Sequence, residues 1–195
     1  MNLKQAVARI DAEIAESCHV KQQFSRELKA QIADLAERIA STLAAGGTIY
    51  WIGNGGSAAD SQHLAGELVA RLRRSRKALS SVALTTNTSL LTSIANDDSY
   101  EEVFARQVEA LIRPADLLVA LSTSGKSKSI LKAVALANER GAFTVGWTGE
   151  TGGALGKIAK LCLRIPSRDT QRIQESHITI GHIVCGIVED MLVPA

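Results

Sequence analysis

The sequence predicts an α/β domain in three layers, α-β-α, built on a five-stranded parallel sheet and preceded by an N-terminal helical arm. Three observations predict it. Residues 3–45 contain neither Gly nor Pro. From residue 48 onward, short apolar runs alternate with amphipathic stretches, the pattern of a parallel sheet covered on both faces. The 195 residues suffice for one core, which at this length buries roughly 70% of the unfolded surface.

Within the arm, Leu28, Ile32, Leu35, Ile39 and Leu43 recur at the spacing of one helical face, and Gly46-Gly47 ends the pattern. Such an arm cannot bury its stripe alone, so it must pack on the core or on a second copy. The expected organisation is an arm over residues 1–47, part of the same domain, followed by the α/β unit over 48–195. The five expected strands are "TIYWI" (48–52), "SVALT" (81–85), "DLLVALS" (116–122), "AFTVGWT" (142–148) and "LCLRI" (161–165). Helical stretches are expected near 57–74, 100–112, 127–140, 152–160 and 171–193. Ligands of such sheets sit at the carboxyl ends of the strands, so the loops after 52, 85, 122 and 148 are where chemistry is to be sought.

Bulk properties exclude several function classes. Lys plus Arg number 22 against 20 Asp plus Glu, a balance that gives no whole-chain argument for nucleic acid. The N-terminal segment mixes charge into its apolar positions, unlike a signal peptide or membrane span, so a cytoplasmic protein is expected. Cys18, Cys162 and Cys185 form no CxxC pair and are expected to be reduced packing residues.

Two loops have the composition of anion cradles. "GNGGS" (53–57) follows the first strand and opens a helix, where backbone N–H groups and the helix dipole favour negative charge. Extended to Ala58 it reads G-x-G-x-x-A, but no acidic residue ends the second strand to hold a ribose, which argues against a dinucleotide. "ALSTSGKS" (120–127) fits a loose Walker A pattern, yet no strand ends in the Asp that would organise Mg²⁺, and Ala120 falls inside a strand. What remains is a row of hydroxyls, Ser122, Thr123, Ser124 and Ser127, suited to a phosphate monoester; the plain alternative is a polar turn with a Ser N-cap.

Side chains capable of chemistry gather in two helices. His63 and Glu67 share a face at i, i+4, one turn beyond Asp60, and can act as metal ligands or as an acid–base pair. Gln174, His177 and His182 lie in the apolar last helix. The run Arg71, Arg73, Arg74, Arg76 and Lys77 reads as a solvated turn, with reach toward a substrate phosphate or nucleic acid as the other readings.

"GNGGSAADSQHLAGE", "IANDDSYEEVFARQVEAL", "STSGKS" and "RIQESHITIGHIVCGIVE", in this order and at these separations, resemble the phosphoheptose isomerases of the sugar-isomerase (SIS) fold, a flavodoxin-like arrangement. The resemblance runs from Gly53 to Glu189. It implies isomerisation of sedoheptulose 7-phosphate to D-glycero-D-manno-heptose 7-phosphate, the first step of activated-heptose synthesis for lipopolysaccharide or other surface glycans. It further implies cytoplasmic homotetramers with active sites between protomers and one zinc per site. Carried over by motif, the zinc ligands are His63, Glu67, Gln174 and His182. Substrate contacts come from Asn54, Gly55, Gly56, Glu67, Asn96, Asp97, Ser122, Thr123, Ser124, Ser127 and Gln174, and Glu67 and His182 are the catalytic acid–base pair. Gln174 and His182 stand about 12 Å apart along a regular helix, so one straight helix would not bring both to one ion. A site shared between protomers, a bent or later-starting helix, or His177 in place of Gln174 would resolve this. A non-catalytic SIS protein, binding a phosphosugar or assisting a replication initiator, would have the same loops but no reason to keep His63, Glu67 and His182. An amino-sugar isomerase would have similar phosphate sites.

Overall fold

The computed structural model describes residues 1–193; positions 194 and 195, the end of the expected 48–195 unit, lie outside the described residues. Helices α1 (Leu3–Gln22) and α2 (Arg26–Ala44) lead into β1 (Ile49–Gly53), α3 (Gly56–Val69) and β2 (Ser81–Ala83). Then follow α4 (Thr88–Asp97), a 3₁₀ turn (Tyr100–Glu102), α5 (Ala105–Leu111), β3 (Leu117–Leu121) and α6 (Lys128–Glu139). The chain closes with β4 (Phe143–Thr148), α7 (Leu155–Ile158), β5 (Leu161–Arg164) and α8 (Thr170–Leu192).

The five strands are parallel in the order β2-β1-β3-β4-β5. Side chains alternate across the sheet, so β1 sends Ile49 and Trp51 to one core and Tyr50 and Ile52 to the other. The first core packs Trp51 and Trp147 edge to face beneath Leu35, Ile39, Leu64, Ile180 and Val184 from α2, α3 and α8. The second gathers Ile52, Phe104, Val108, Leu118, Ile130 and Val134. Three layers with a five-stranded parallel sheet are thus the architecture that the alternating pattern predicts. The strand order reverses between β1 and β3, and the register Gly53↔Leu121 brings their carboxyl ends level. The loops after these two strands therefore emerge side by side at a topological switch point.

Four local features differ from the expectation. The arm breaks at Gln23–Ser25: the Ser25 Oγ accepts from Leu28 N at 3.0 Å, starting a second helix, and Phe24 turns into the core. The stripe of α2 is buried as its spacing predicts, whereas α1 buries only Val20 and leaves Leu3, Val7, Ile10 and Ile14 exposed. Helix α4 was not anticipated. It packs Leu91, Ile94 and Ala95 against the second core without burying any residue fully, and Asn87 caps it at Leu90 N. Helix α3 stops at Val69 rather than near residue 74, and α7 is shortened because Gly152 and Gly153 adopt φ of +71° and +57°.

Candidate active site

Both glycine-containing loops are shaped by conformations that a side chain would spoil. Gly55 holds φ +56° at the start of α3, and a Cβ on Gly56 would come within 2.6 Å of Gln174 Nε2. The third glycine thus lets the Gln174 amide lie against the loop. The Asn54 side chain is engaged at both ends, donating from Nδ2 to Ser129 Oγ at 3.1 Å and accepting from the Tyr100 hydroxyl at 2.7 Å. These two bonds tie the first loop to the start of α6 and to the 3₁₀ turn.

Beside it, Ser122 is buried and donates from Oγ to Ser127 Oγ at 3.3 Å, while Ser124 Oγ accepts from Lys126 N. Ser127 occupies the position before α6 but makes no side-chain cap, so the plain N-cap reading does not hold and its hydroxyl faces Ser122 instead. Ala120 pairs with Ile52 and Gly146 in mid-sheet, which leaves no Walker-type loop start. A cavity of about 170 Å³ is lined by Thr123, Ser124, Lys126, Gly149, Ser167 and Arg168, among others, with the Lys126 side chain exposed.

The second cluster joins two helices. His63 Nε2 lies 3.1 Å from Glu67 Oε1, one turn on along α3. His182 of α8 places its Nε2 2.8 Å from that of His63 and 3.8 Å from Glu67 Oε1. The three ligand atoms fall within 4.8 Å of one another. Gly181 permits the approach, since a Cβ there would come within 2.6 Å of Leu64 Cδ1 on α3. Asp60, one turn before His63, has an oxygen without a hydrogen-bond partner among the described residues; burial raises its pKa and the His63 charge opposes the rise. Two imidazole nitrogens and a carboxylate oxygen converging in this way make a donor set for a divalent metal, with room for a further ligand.

Residues 14–149 match the family model of the SIS domain. Over 180 residues the chain is 51% identical to the phosphoheptose isomerase of Roseiflexus sp. (strain RS-1), covering 92% of this chain and 91% of the relative. It is 49% identical to that of Geobacter sulfurreducens, covering 95% and 98%. The solved phosphoheptose isomerase from Neisseria gonorrhoeae superposes with a TM-score of 0.89 at 40% identity, covering 94% of this chain and 98% of that one. The chain belongs to the phosphoheptose isomerase family.

In this phosphoheptose isomerase family member, the expected site residues divide into three groups. His63, Glu67 and His182 meet within a single chain. Gln174 lies against Gly56, eight residues before His182 on the uninterrupted α8, so the helix neither bends out of the difficulty nor starts later. Asn96 and Asp97 are exposed at the end of α4 and hydrogen-bond to each other at 2.9 Å. His177 cannot replace Gln174. Its ring is buried against Trp147, with Nε2 3.4 Å from Thr148 O, and burial pushes its pKa down to about 4.

Two further expectations are corrected. Cys18 is exposed and so is not a packing residue in this chain; Cys162 is partly buried and Cys185 buried, where burial first and then Glu67 and Glu189 push the thiol up to about 12. The basic run is not simply a solvated turn. Arg76 is 3% exposed and Glu189 of α8 is 1% exposed, and they pair at 2.9 Å. Burial works to raise the Glu189 pKa, but the amides of Leu72, Arg73 and Arg74 and the Arg76 guanidinium outweigh it and hold the carboxyl below its usual range. Tyr100, Ser129, Arg76 and Glu189 were not singled out from the sequence for these roles, because each acquires its meaning from a partner far along the chain.

Proposed function

We propose that the chain isomerises sedoheptulose 7-phosphate to D-glycero-D-manno-heptose 7-phosphate by proton transfer between C1 and C2 through an enediol. This is the entry to activated heptose for lipopolysaccharide or other surface glycans. The observation that carries the reading is the convergence of His63, Glu67 and His182 from two helices, α3, which the first phosphate-type loop opens, and α8, whose Gln174 lies against that loop. A non-catalytic phosphosugar binder needs the loops alone. Close identity to phosphoheptose isomerases over nearly the whole chain supports the same choice.

The hydroxyls of Ser122, Thr123, Ser124 and Ser127, with the amides of the second loop, hold the phosphate. Asn54 is held by Tyr100 and Ser129, so the loop that carries Gly55 and Gly56 presents its amides in a fixed shape to the sugar. Glu67 takes the proton from one carbon and returns it to the other, and the imidazole of His182 exchanges the proton on oxygen; with Nε2 given to a metal, Nδ1 is the nitrogen left for that exchange. Gln174 orients the sugar across the first loop, with Asn96 and Asp97 as further substrate contacts.

The donor set fits zinc, which takes His nitrogen and carboxylate oxygen in sites that keep an open position. His63, Glu67 and His182 would hold it, and a Gln174 ligand would come from a second protomer. When bound, the ion would supply orientation and polarisation of the carbonyl. Such sharing accords with a cytoplasmic homotetramer whose active sites lie between protomers, and the exposed stripe Leu3, Val7, Ile10 and Ile14 on α1 is the surface for that assembly. No described helix is long and apolar enough to cross a membrane.

Purified protein incubated with sedoheptulose 7-phosphate, with Zn²⁺ and with chelator, tests the reading. The expected result is heptose 7-phosphate; no product under any metal condition would overturn it.

A further inference from the structure

We infer that Arg76 and Glu189 form a buried positioning pair that sets how Glu67 faces His182; the catalytic part of this inference rests on the isomerase reading above. Four observations support it. The Glu189 carboxylate accepts from Leu72 N at 2.9 Å, Arg73 N at 2.9 Å, Arg74 N at 3.2 Å and Arg76 Nε at 2.9 Å. Its acceptor capacity is thereby filled from one loop. The other arm of the fork reaches the end of α3: Arg76 donates from one terminal nitrogen to Leu68 O at 2.8 Å and from the other to Glu67 O at 2.8 Å. Leu68 O also accepts from Leu79 N at 3.1 Å, and a cation at these carbonyls of the last turn favours the helix dipole.

The pair therefore joins the backbone of Glu67 itself to α8. On α8, Gly181, Cys185 and Glu189 lie four residues apart and share one face. Gly181 sets the close contact with Leu64, and the Cys185 thiol feels the charges of both Glu67 and Glu189. His182 stands seven residues, two helical turns, before Glu189. The α3–α8 contact is thus fixed at one end by a glycine and at the other by an ion pair, with the metal-type cluster on the same two helices.

Stability alone is a poor account of this arrangement. A buried ion pair has a desolvation cost that its attraction barely offsets, and well-packed apolar side chains often serve as well. What apolar residues cannot do is hold two carbonyls and three amides at fixed distances. In a reaction sensitive to displacements of about 1 Å, that geometry is the useful product.

The test compares Glu189→Gln, Arg76→Lys and the apolar double variant Arg76→Met/Glu189→Leu with wild type, and uses Asp190→Asn as a surface control on the same helix. Three quantities are measured: the unfolding midpoint, Zn²⁺ affinity by competition with a chromophoric chelator, and kcat and KM on sedoheptulose 7-phosphate. Outer partners of metal ligands alter affinity by about 10–100-fold. The expected result is a loss of that size in Zn²⁺ affinity and in kcat for the folded variants, with KM within about threefold of wild type. It includes the double variant even where its unfolding midpoint matches wild type. Asp190→Asn is unchanged.

Wild-type affinity and kcat in a folded Glu189→Gln or in the double variant would overturn the inference and leave a purely structural pair. Should the double variant not fold, Glu189→Gln and Arg76→Lys decide the matter by the same readings. Wild type that binds Zn²⁺ but forms no heptose 7-phosphate would overturn the isomerase reading, while the affinity series still reports on the pair.

Discussion

The side chains of His63 and His182, 119 residues apart in sequence, meet Nε2 to Nε2 at 2.8 Å. At that distance, neutral rings require one bare nitrogen and one N–H, unless a cation lies between the two. Both nitrogens point toward a common space that Glu67 Oε1 also reaches. The expectation is that chelator treatment removes activity and Zn²⁺ restores it. Replacing either member of the proposed acid–base pair, as in Glu67→Gln or His182→Ala, is expected to lower kcat by about 10²–10⁴-fold. Initial rates of heptose 7-phosphate formation check both statements, and mutant rates equal to wild type would remove the assigned roles.

Gly181 provides a steric test of the same contact. A methyl group there overlaps Leu64, so Gly181→Ala has to spread α3 from α8. Overpacking of this kind costs about 1–3 kcal/mol. Denaturant unfolding measures the loss, and Zn²⁺ affinity falls with it because His63 and His182 separate.

The second loop ranks its residues by hydroxyls rather than by charge. Ser122 and Ser127 face each other, whereas the Lys126 side chain is exposed. A hydrogen bond to a charged group contributes about 1.5–3 kcal/mol. Ser122→Ala and Ser127→Ala are therefore expected to raise KM by about tenfold or more, and Lys126→Ala to change it by less than about threefold, in steady-state kinetics. The reverse order would reopen the reading of this loop as a nucleotide site.

His177 makes stability depend on pH. Burial holds its folded pKa at about 4, below the ordinary 6.5, so the unfolded chain binds the extra proton first as pH falls. Its contribution is complete above pH 6.5 and is lost progressively down to about 4. Between pH 7 and pH 5 the wild type is expected to lose about 2 kcal/mol more than His177→Gln. Urea unfolding of both proteins at the two pH values provides the measurement, and equal losses would contradict it.

The apolar stripe of α1 is the part of the surface that most needs a partner. Substituting Val7, Ile10 and Ile14 together by Glu is expected to lower the mass seen by light scattering from that of the proposed tetramer toward smaller species. Activity falls with it if the sites are shared. A wild-type protein that is monomeric at assay concentration would remove the shared-site proposal.

Legibility followed the range of the interactions. The sheet could be read because each strand is a short apolar run, and α2 because Leu28 to Ile39 repeat at helical spacing. The break at Ser25 was hidden by the absence of Gly or Pro, since a capping hydroxyl has the same composition as any exposed Ser. Helix α4 carries Leu91, Ile94 and Ala95 at helical spacing, but it is short, 10 residues, and its polar Thr, Ser and Asn content has the composition of a loop. His63 and Glu67 are neighbours on one turn and could be paired by eye, whereas His182 joined them through resemblance. The buried state of Arg76 had no local sign at all: five cations within seven residues look solvated until a carboxylate 113 residues away is folded against one of them.

The placement of His182 on the last helix also governs the order of events in making the protein. Strands and helices up to β5 can begin to pack as they leave the ribosome, N-terminal parts first. The third donor of the cluster is not available until α8 has been synthesised and has docked against α3. An unfinished or C-terminally clipped chain therefore has the phosphate loops without the His–Glu–His trio. Metal binding at the proposed site would therefore wait on the docking of α8 against α3, coupling it to the assembly of these two helices.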